Sequence, residues 1–398
     1  MEPVILQAVD EFPAVVLSGP RQSGKTTLLK HLFRDQFEYV SLETPDTRRA
    51  AQNDPRGFLA LYPSPVIFDE IQFAPDLLFY IKEMIDSKRE LNGQFILTGS
   101  QNLLLMQGVT ESLAGRAAVL HLMPLTSRES AMAPLRTFPW EGEADFKPQQ
   151  DLTGLNLWRQ FLRGYYPELI SHPKKSVNLW HGSFIQTYLE RDLRLLRQVG
   201  DLTLFQDFLQ ALAPRSAQLL NMTELSRDLG VAVNTVKSWI SILEATHQIF
   251  LLRPYFVNVG KRLVKTPKVY FTDVGTLSYL SSLTDPLHAA NSPVKGALME
   301  TAVISEIMKT FRNRGFEPRL HFWRTTAGSE VDLIVECSGK VVPIEIKSSA
   351  TPRPAMANSI RVFAKDFGDQ SLPGYVIHSG DVVLPLGDGI LALPFSCL

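Results

Sequence analysis

Cysteine is nearly absent from this chain: only Cys337 and Cys397 occur. No disulfide framework can staple the fold, a reducing compartment is its natural setting, and neither thiol stands in a catalytic context. Long apolar runs are missing too, since no stretch of about 18 uninterrupted apolar residues occurs. The opening MEPVILQAVDEF has neither the basic start nor the apolar core of a signal peptide. These absences lead to the expectation of a cytoplasmic protein with no membrane partner. An excess of charge of one sign is lacking as well. Forty Lys and Arg stand against 41 Asp and Glu, a formal net charge of −1, so any nucleic-acid binding has to be local. There is no internal repeat and no low-complexity tract.

What is present is enough for several cores. At 398 residues the chain exceeds one ordinary domain, and about 150 residues per domain predicts three. From Ala14 to about Leu125 short apolar runs (AVVLSG, FEYVSLE, PVIFDE, FILTGS, AAVLHL) alternate with helical patterns. That rhythm predicts a mainly parallel sheet with helices on both faces and a ligand at the carboxyl ends of the strands. The first segment is read as 1–130. After it, APLRTFPWEGEADFKPQQDLTG breaks the pattern, and 131–200 reads as a linker followed by a helical, lid-like segment. In 201–290, TELSRDLG and VAVNTVKSWISILEA precede two strand-like runs, the pattern of a winged helix-turn-helix. In 291–398 a long helix leads to strands, a further helix and a strand, a second α/β domain.

The chemistry is clearest near the start. Gly19, Pro20, Arg21, Gln22, Ser23, Gly24, Lys25 and Thr26 fit the G-x-x-x-x-G-K-[ST] pattern between an apolar strand and a helix, with Thr27 next in the helix. The glycines let backbone N–H groups curl toward phosphates at a helix N-terminus. Lys25 is expected on the β- and γ-phosphates of ATP and Thr26 on Mg2+. A glycine turn with a chance lysine is the competing reading, and the strand-to-helix context weighs against it. PVIFDE ends a strand in Asp69 and Glu70, one carboxylate for the magnesium shell and one to orient or deprotonate water. Thr98 and Ser100 end FILTGS, where they can hold the attacking water or sense the γ-phosphate; a plain N-cap for the next helix is the alternative. Arg116 precedes the next strand, placed either to reach a neighbouring subunit's nucleotide or to form a surface ion pair.

In the last segment Asp332 lies in EVDLIVEC, and Glu345 and Lys347 share one face of VVPIEIKSS. Asp332 and Glu345, with Glu300 from the preceding helix, are expected to bind Mg2+ or Mn2+, with Lys347 as a catalytic lysine. Ordinary binary patterning of an exposed strand also produces E-x-K. In the helix-turn-helix, Asn234, Thr235 and Lys237 stand near the start of the expected recognition helix, with Lys261 and Arg262 near the wing, types suited to bases and phosphates. Trp239, Ile240 and Leu243 are expected in the core.

GPRQSGKTTL, FDEIQ, LTGS, SLAGR, the Gly-Tyr-Tyr-Pro-Glu at Gly164–Glu168 and YLERDL together resemble the bacterial and archaeal AAA+ superfamily ATPases that carry a C-terminal domain of unknown function, DUF4143. The resemblance spans nearly the whole chain. It implies an AAA-type core, a winged helix, a restriction-endonuclease-like C-terminal domain and assembly into a homo-oligomeric ring or partial ring. The family has paired glycines before Tyr-Pro-Glu where this chain has Arg163-Gly164-Tyr165. Arg191 of YLERDL is either a lid arginine on phosphate or half of an i, i+4 ion pair.

The expected fold class is therefore α/β: a P-loop NTPase core of AAA type, a winged helix-turn-helix and a PD-(D/E)xK nuclease-like α/β domain. The expected function is ATP hydrolysis with Mg2+ coupled to action on DNA, branched DNA included. Two alternatives remain: a nucleotide-dependent switch docking a protein partner through a catalytically silent C-terminal domain, and a DNA-remodelling motor without cleavage.

Overall fold

The computed structural model describes residues 1–99, 109, 111–133, 137–142, 152–188, 202–255, 265–326 and 328–398. The chain forms two compact units. The first comprises Met1–Pro124 with two short returns, Ala245–His247 and Phe311–Glu317; the second comprises Leu125–Glu244, Gln248–Thr310 and Pro318–Leu398.

The first unit opens with helix α1 (Glu2–Glu11), strand β1 (Ala14–Ser18) and helix α2 (Lys25–Phe33). It continues with β2 (Glu38–Ser41), α3 (Pro45–Asn53), α4 (Pro55–Leu61), β3 (Val66–Asp69), α5 (Leu77–Ser87), β4 (Phe95–Gly99) and β5 (Ala117–His121). The strands make a five-stranded sheet in the order β2-β3-β4-β1-β5, with every pairing parallel. β4 thus lies between the strand that feeds the P-loop and the strand that ends at Asp69. Because β1 is covered on both faces, all five of its residues are buried. Alternation along the strand divides them: Val15 and Leu17 pack with Ile5, Leu29 and Phe33, while Ala14 and Val16 pack with Phe58, Ile81 and Ile85. In α5 the buried residues Leu77, Leu78, Ile81 and Ile85 recur at helical spacing. Burying Ile81 and Ile85 contributes roughly 2 kcal/mol each.

In the second unit a one-turn helix α6 (Ser127–Ser130) starts at a capping box formed by Thr126 and Glu129. It is followed by α7 (Gly154–Arg163), α8 (Pro167–Ser171), α9 (Val177–Tyr188) and α10 (Leu202–Leu212). Then come β6 (Gln218–Leu219), α11 (Met222–Leu229), α12 (Val233–Ala245), β7 (Ile249–Pro254) and β8 (Lys268–Phe271). Asn221 caps α11 by accepting from the Glu224 N–H, and Gly230, at φ +67, ends it. Trp239 of α12 packs against Phe205 and Phe208 of α10, ring centroids 5.3 and 5.1 Å away, and Ile240 and Leu243 are buried beside it in the sequence.

The chain goes on through α13 (Val274–Leu280), α14 (Pro286–Asn291), α15 (Lys295–Asn313), β9 (Leu320–Arg324), β10 (Glu330–Cys337), β11 (Lys340–Lys347), α16 (Asn358–Phe367), β12 (Tyr375–His378), β13 (Leu384–Pro385) and β14 (Leu391–Pro394). Its strands form a nine-stranded sheet, β13-β14-β12-β11-β10-β9-β7-β8-β6. β9, β10 and β11 are antiparallel neighbours and β12 joins β11 in parallel. The sheet is continuous across residue 290, because β7 pairs in parallel with β9 at Arg253↔His321 and Pro254↔Phe322. The register between β9 and β10 shifts between Val331 and Ile334, which places Asp332 at a bulge.

Candidate active site

The loop from Gly19 to Gly24 is shaped by positive φ angles, +149 at Gly19, +63 at Gln22 and +94 at Gly24, and the last of these opens α2. A Cβ on Gly19 would lie 2.0 Å from the Leu122 carbonyl oxygen, so only glycine lets the loop leave β1 past the end of β5. The Lys25 side chain is buried. Its ammonium donates to the carbonyls of Gly19 at 2.9 Å and Pro20 at 2.8 Å, which fixes the cation over the loop at the N-terminus of α2.

Asp69 ends β3 in register with Ser41 of β2 and is 7% exposed. Three hydroxyls converge on its carboxylate: Thr26 Oγ1 at 3.0 Å and Tyr39 on Oδ2, and Thr98 on Oδ1. Thr98, expected to hold water or sense phosphate, is bound to Asp69 and also accepts the Glu70 N–H at 3.4 Å. Glu70 has a left-handed backbone, φ +59, which turns its carboxylate out of the strand direction, and Gln72 donates to it. Thr26 and Asp69 present hard oxygens 3.0 Å apart, a donor set that suits Mg2+.

Tyr39 is a site residue that sequence reasoning missed. Burial, together with its bond to Asp69 and that carboxylate's charge, holds the phenol well above its ordinary pKa, so it remains a donor. Lys30 lies 3.9 Å from its ring centroid. No pattern in FEYVSLE marks the residue, because its partner comes from the next strand.

At the ends of β1 and β5, Ser18 Oγ lies 2.6 Å from His121 Nδ1. The His121 ring is 5.4 Å from that of His247, whose backbone is also left-handed, φ +56. Burial and the charge of Arg312 lower His121 to about 4. Burial, then His121, Arg312 and Lys25, lower His247 to about 3. Both imidazoles are neutral at pH 7.

Arg116 is engaged inside the chain: its Nε and Nη2 bind the two oxygens of Asp86 at 2.7 and 2.9 Å. Ser100, Arg191, Lys261 and Arg262 lie outside the described residues. Asn234 and Lys237 are exposed and Thr235 is half-buried on the first turns of α12.

Gly164 caps α7 at φ +76, and a Cβ there would lie 2.5 Å from Asp273 Oδ1. Asp273 also accepts the N–H groups of Tyr165 at 2.8 Å and Thr276 at 2.9 Å. A single glycine is therefore enough to close this turn.

The residues of the C-terminal constellation come together, though with partners that the sequence did not point to. Glu300 Oε1 accepts from Lys268 at 2.9 Å and from the Tyr270 hydroxyl at 2.5 Å. Lys268 also reaches Glu330 at 2.6 Å, and Arg324 binds the other oxygen of Glu330 at 3.1 Å. Asp332 Oδ2 accepts the Ile346 N–H at 2.8 Å. Glu345 is bound by Lys347 and, at 2.8 Å, by Ser359. Burial and the charge of Asp332 push Glu300 and Glu345 up to about 7. Burial would lower Lys268, but Glu300, Asp332 and Glu330 outweigh it and hold the ammonium above its usual range. Among the described residues no group of three or more His, Cys, Asp or Glu side chains is arranged to hold a metal ion. The set Glu300, Asp332 and Glu345 does not fit the expected metal, because an internal ammonium already sits on Glu300. A lysine and a tyrosine two residues apart on the buried strand KVYF were the available signal.

The comparisons with known proteins agree with the nucleotide half of this picture. The AAA domain family matches residues 11–131, a domain of unknown function, DUF8612, matches 155–287, and DUF4143, also of unknown function, matches 295–398. The chain belongs to the family of AAA-type ATPases with a C-terminal DUF4143 domain. Uncharacterized proteins Rv2008c of Mycobacterium tuberculosis and Mb2031c of Mycobacterium bovis are each 30% identical to it over 390 residues, 98% of this chain and 81% of theirs. The Walker-type ATPase PABY2304 of Pyrococcus abyssi is similar at 16% identity and a TM-score of 0.41, over 69% of this chain and 93% of that one.

Proposed function

We propose that the chain is a magnesium-dependent ATPase whose catalytic set is Lys25, Thr26, Asp69 and Glu70, supported by Thr98 and Tyr39. The observation that carries it is the convergence of Thr26, Tyr39 and Thr98 on one buried carboxylate beside the P-loop. Residues Gly19–Thr27 cradle the phosphates with backbone N–H groups and the positive end of α2. Lys25 balances charge on the β- and γ-phosphates. Thr26 and Asp69 would hold Mg2+, which when bound neutralises phosphate charge during transfer. Glu70 accepts a proton from the attacking water or orients it, and the Gln72 contact limits its motion. Phosphate release by purified protein tests this. Glu70→Gln is expected to lower turnover by about 10²–10⁴-fold with ATP binding retained, and Lys25→Ala by about 10²-fold or more. Turnover unchanged in Glu70→Gln would remove Glu70 from the mechanism.

DNA is the partner this reading favours, on the observation that Asn234 and Lys237 are exposed at the start of α12, behind a glycine-ended α11 and ahead of the antiparallel pair β7–β8. That arrangement supports a winged helix spanning about 201–290, with a nuclease-like domain from 291 to 398 on the order helix, three antiparallel strands, helix, parallel strand. Asn234→Ala with Lys237→Ala is expected to weaken duplex binding and flatten its salt dependence by about one unit for the lost phosphate contact. Unchanged binding, or none at low salt, would favour a protein partner instead.

A further inference from the structure

Lys268 is the least expected group in the C-terminal constellation. It enters from β8, with its side chain 3% exposed, and bridges Glu300 on α15 and Glu330 on β10. β8 is held on both sides, by β6 at Leu219↔Lys268 and by β7 at Leu252↔Lys268, so the backbone that carries the lysine is fixed within the sheet. Tyr270, one pleat further along, donates to the same Glu300 oxygen. An ammonium is a compact cation with three donors and satisfies carboxylates as a metal ion does. A divalent ion on these carboxylates would need their oxygens at about 2.0–2.6 Å. It would also sit against a fixed positive charge in a site of low effective dielectric.

We infer that Lys268 is the resident cation of this cluster: its ammonium, held by Glu300 and Glu330, takes the place of a divalent metal, so the C-terminal domain binds no catalytic ion. The salt bridge then works as a clamp. It ties β8 and β10, two strands of one sheet, to helix α15, and the nuclease-like fold acts as a rigid extension of the helix-turn-helix. Cleavage of DNA by metal-assisted hydrolysis is not part of its activity.

The test is Mn2+ titration of the full chain without nucleotide, followed by the electron paramagnetic resonance signal of free Mn2+, in an Asp69→Asn background that removes the P-loop carboxylate. That protein is expected to show no stoichiometric Mn2+ site tighter than about millimolar. Adding Lys268→Met removes the ammonium from Glu300 and from one oxygen of Glu330, whose other oxygen keeps Arg324, and is expected to create one site, about tenfold tighter or more. Adding Glu300→Gln to that variant is expected to abolish the site. Circular dichroism melts establish that each variant is folded, and Lys268→Gln is the second choice should the methionine variant fail to fold. The inference is overturned if the Asp69→Asn protein binds one Mn2+ tightly and loses it on Glu345→Gln. It is equally overturned if a folded Lys268 variant gains no site. Should neither Lys268 variant fold, the Asp69→Asn titration with and without Glu345→Gln decides alone. ATP turnover enters none of these readouts, so failure of this inference and failure of the ATPase reading are separable.

Discussion

Replacing Tyr39 by phenylalanine isolates one hydroxyl in the catalytic centre. That hydroxyl donates to Asp69 Oδ2, the oxygen that also accepts from Thr26, while the ring keeps its contact with Lys30. A hydrogen bond to a charged group contributes about 1.5–3 kcal/mol. Because Asp69 retains two other donors, the low end applies, about 1.5 kcal/mol, and a fall in melting temperature of roughly 5 °C is expected. The functional consequence is larger. Groups that orient a metal-binding carboxylate typically affect metal affinity by about 10–100-fold when removed, so half-saturating Mg2+ is expected to rise at least tenfold. Turnover at saturating Mg2+ is expected to recover most of the wild-type rate, since the phenol acts through its hydrogen bond to Asp69. The assay is phosphate release at saturating ATP against free Mg2+. A Tyr39→Phe curve that superimposes on wild type would refute a positioning role and leave Tyr39 as a packing residue.

Gly164→Ala places a methyl group 2.5 Å from Asp273 at a positive φ, and a loss of about 2–4 kcal/mol in chemical denaturation is expected; a loss within experimental error would mean that the turn relaxes freely. His121 and His247 are lowered to about 4 and about 3, so the unfolded chain takes up protons that the folded one refuses. Stability contributed by their neutral forms is present above the unfolded value of about 6.5 and is lost as pH falls toward 4. His247→Asn keeps a residue that tolerates left-handed backbone and is expected to flatten the slope of melting temperature between pH 6.5 and about 4; an unchanged slope would place acid sensitivity elsewhere. Arg116→Ala breaks the exposed pair with Asp86 and is expected to leave turnover within roughly twofold, whereas a hundredfold loss would mean that this arginine serves a neighbouring subunit's nucleotide.

The parts of this protein that were legible from its sequence are those whose chemistry is local. The P-loop spans eight consecutive residues, and its glycines are legible in the motif itself, although the clash that makes Gly19 obligatory comes from Leu122 beyond β5. Asp69 and Glu70 announce themselves as charges ending a buried strand, and Trp239, Ile240 and Leu243 follow helical spacing into the core. Tyr39 could not be read in this way, since its role comes from the register that sets β2 beside β3 and turns its hydroxyl to Asp69. Arg116 is a similar case: its partner, Asp86, lies on α5, and only folding decides that the pair forms within one chain. The C-terminal constellation divides along the same line. Asp332, Glu345 and Lys347 share a hairpin, so alternation along two adjacent strands was enough to group them. Lys268 and Glu300 belong to a strand and a helix separated by two further helices, and neither position carries a local mark of the other. Sequence determined which charges the molecule has and which faces of its strands carry them. Tertiary structure decided which cation each buried carboxylate meets, because that choice is made by packing across distances no sequence period spans.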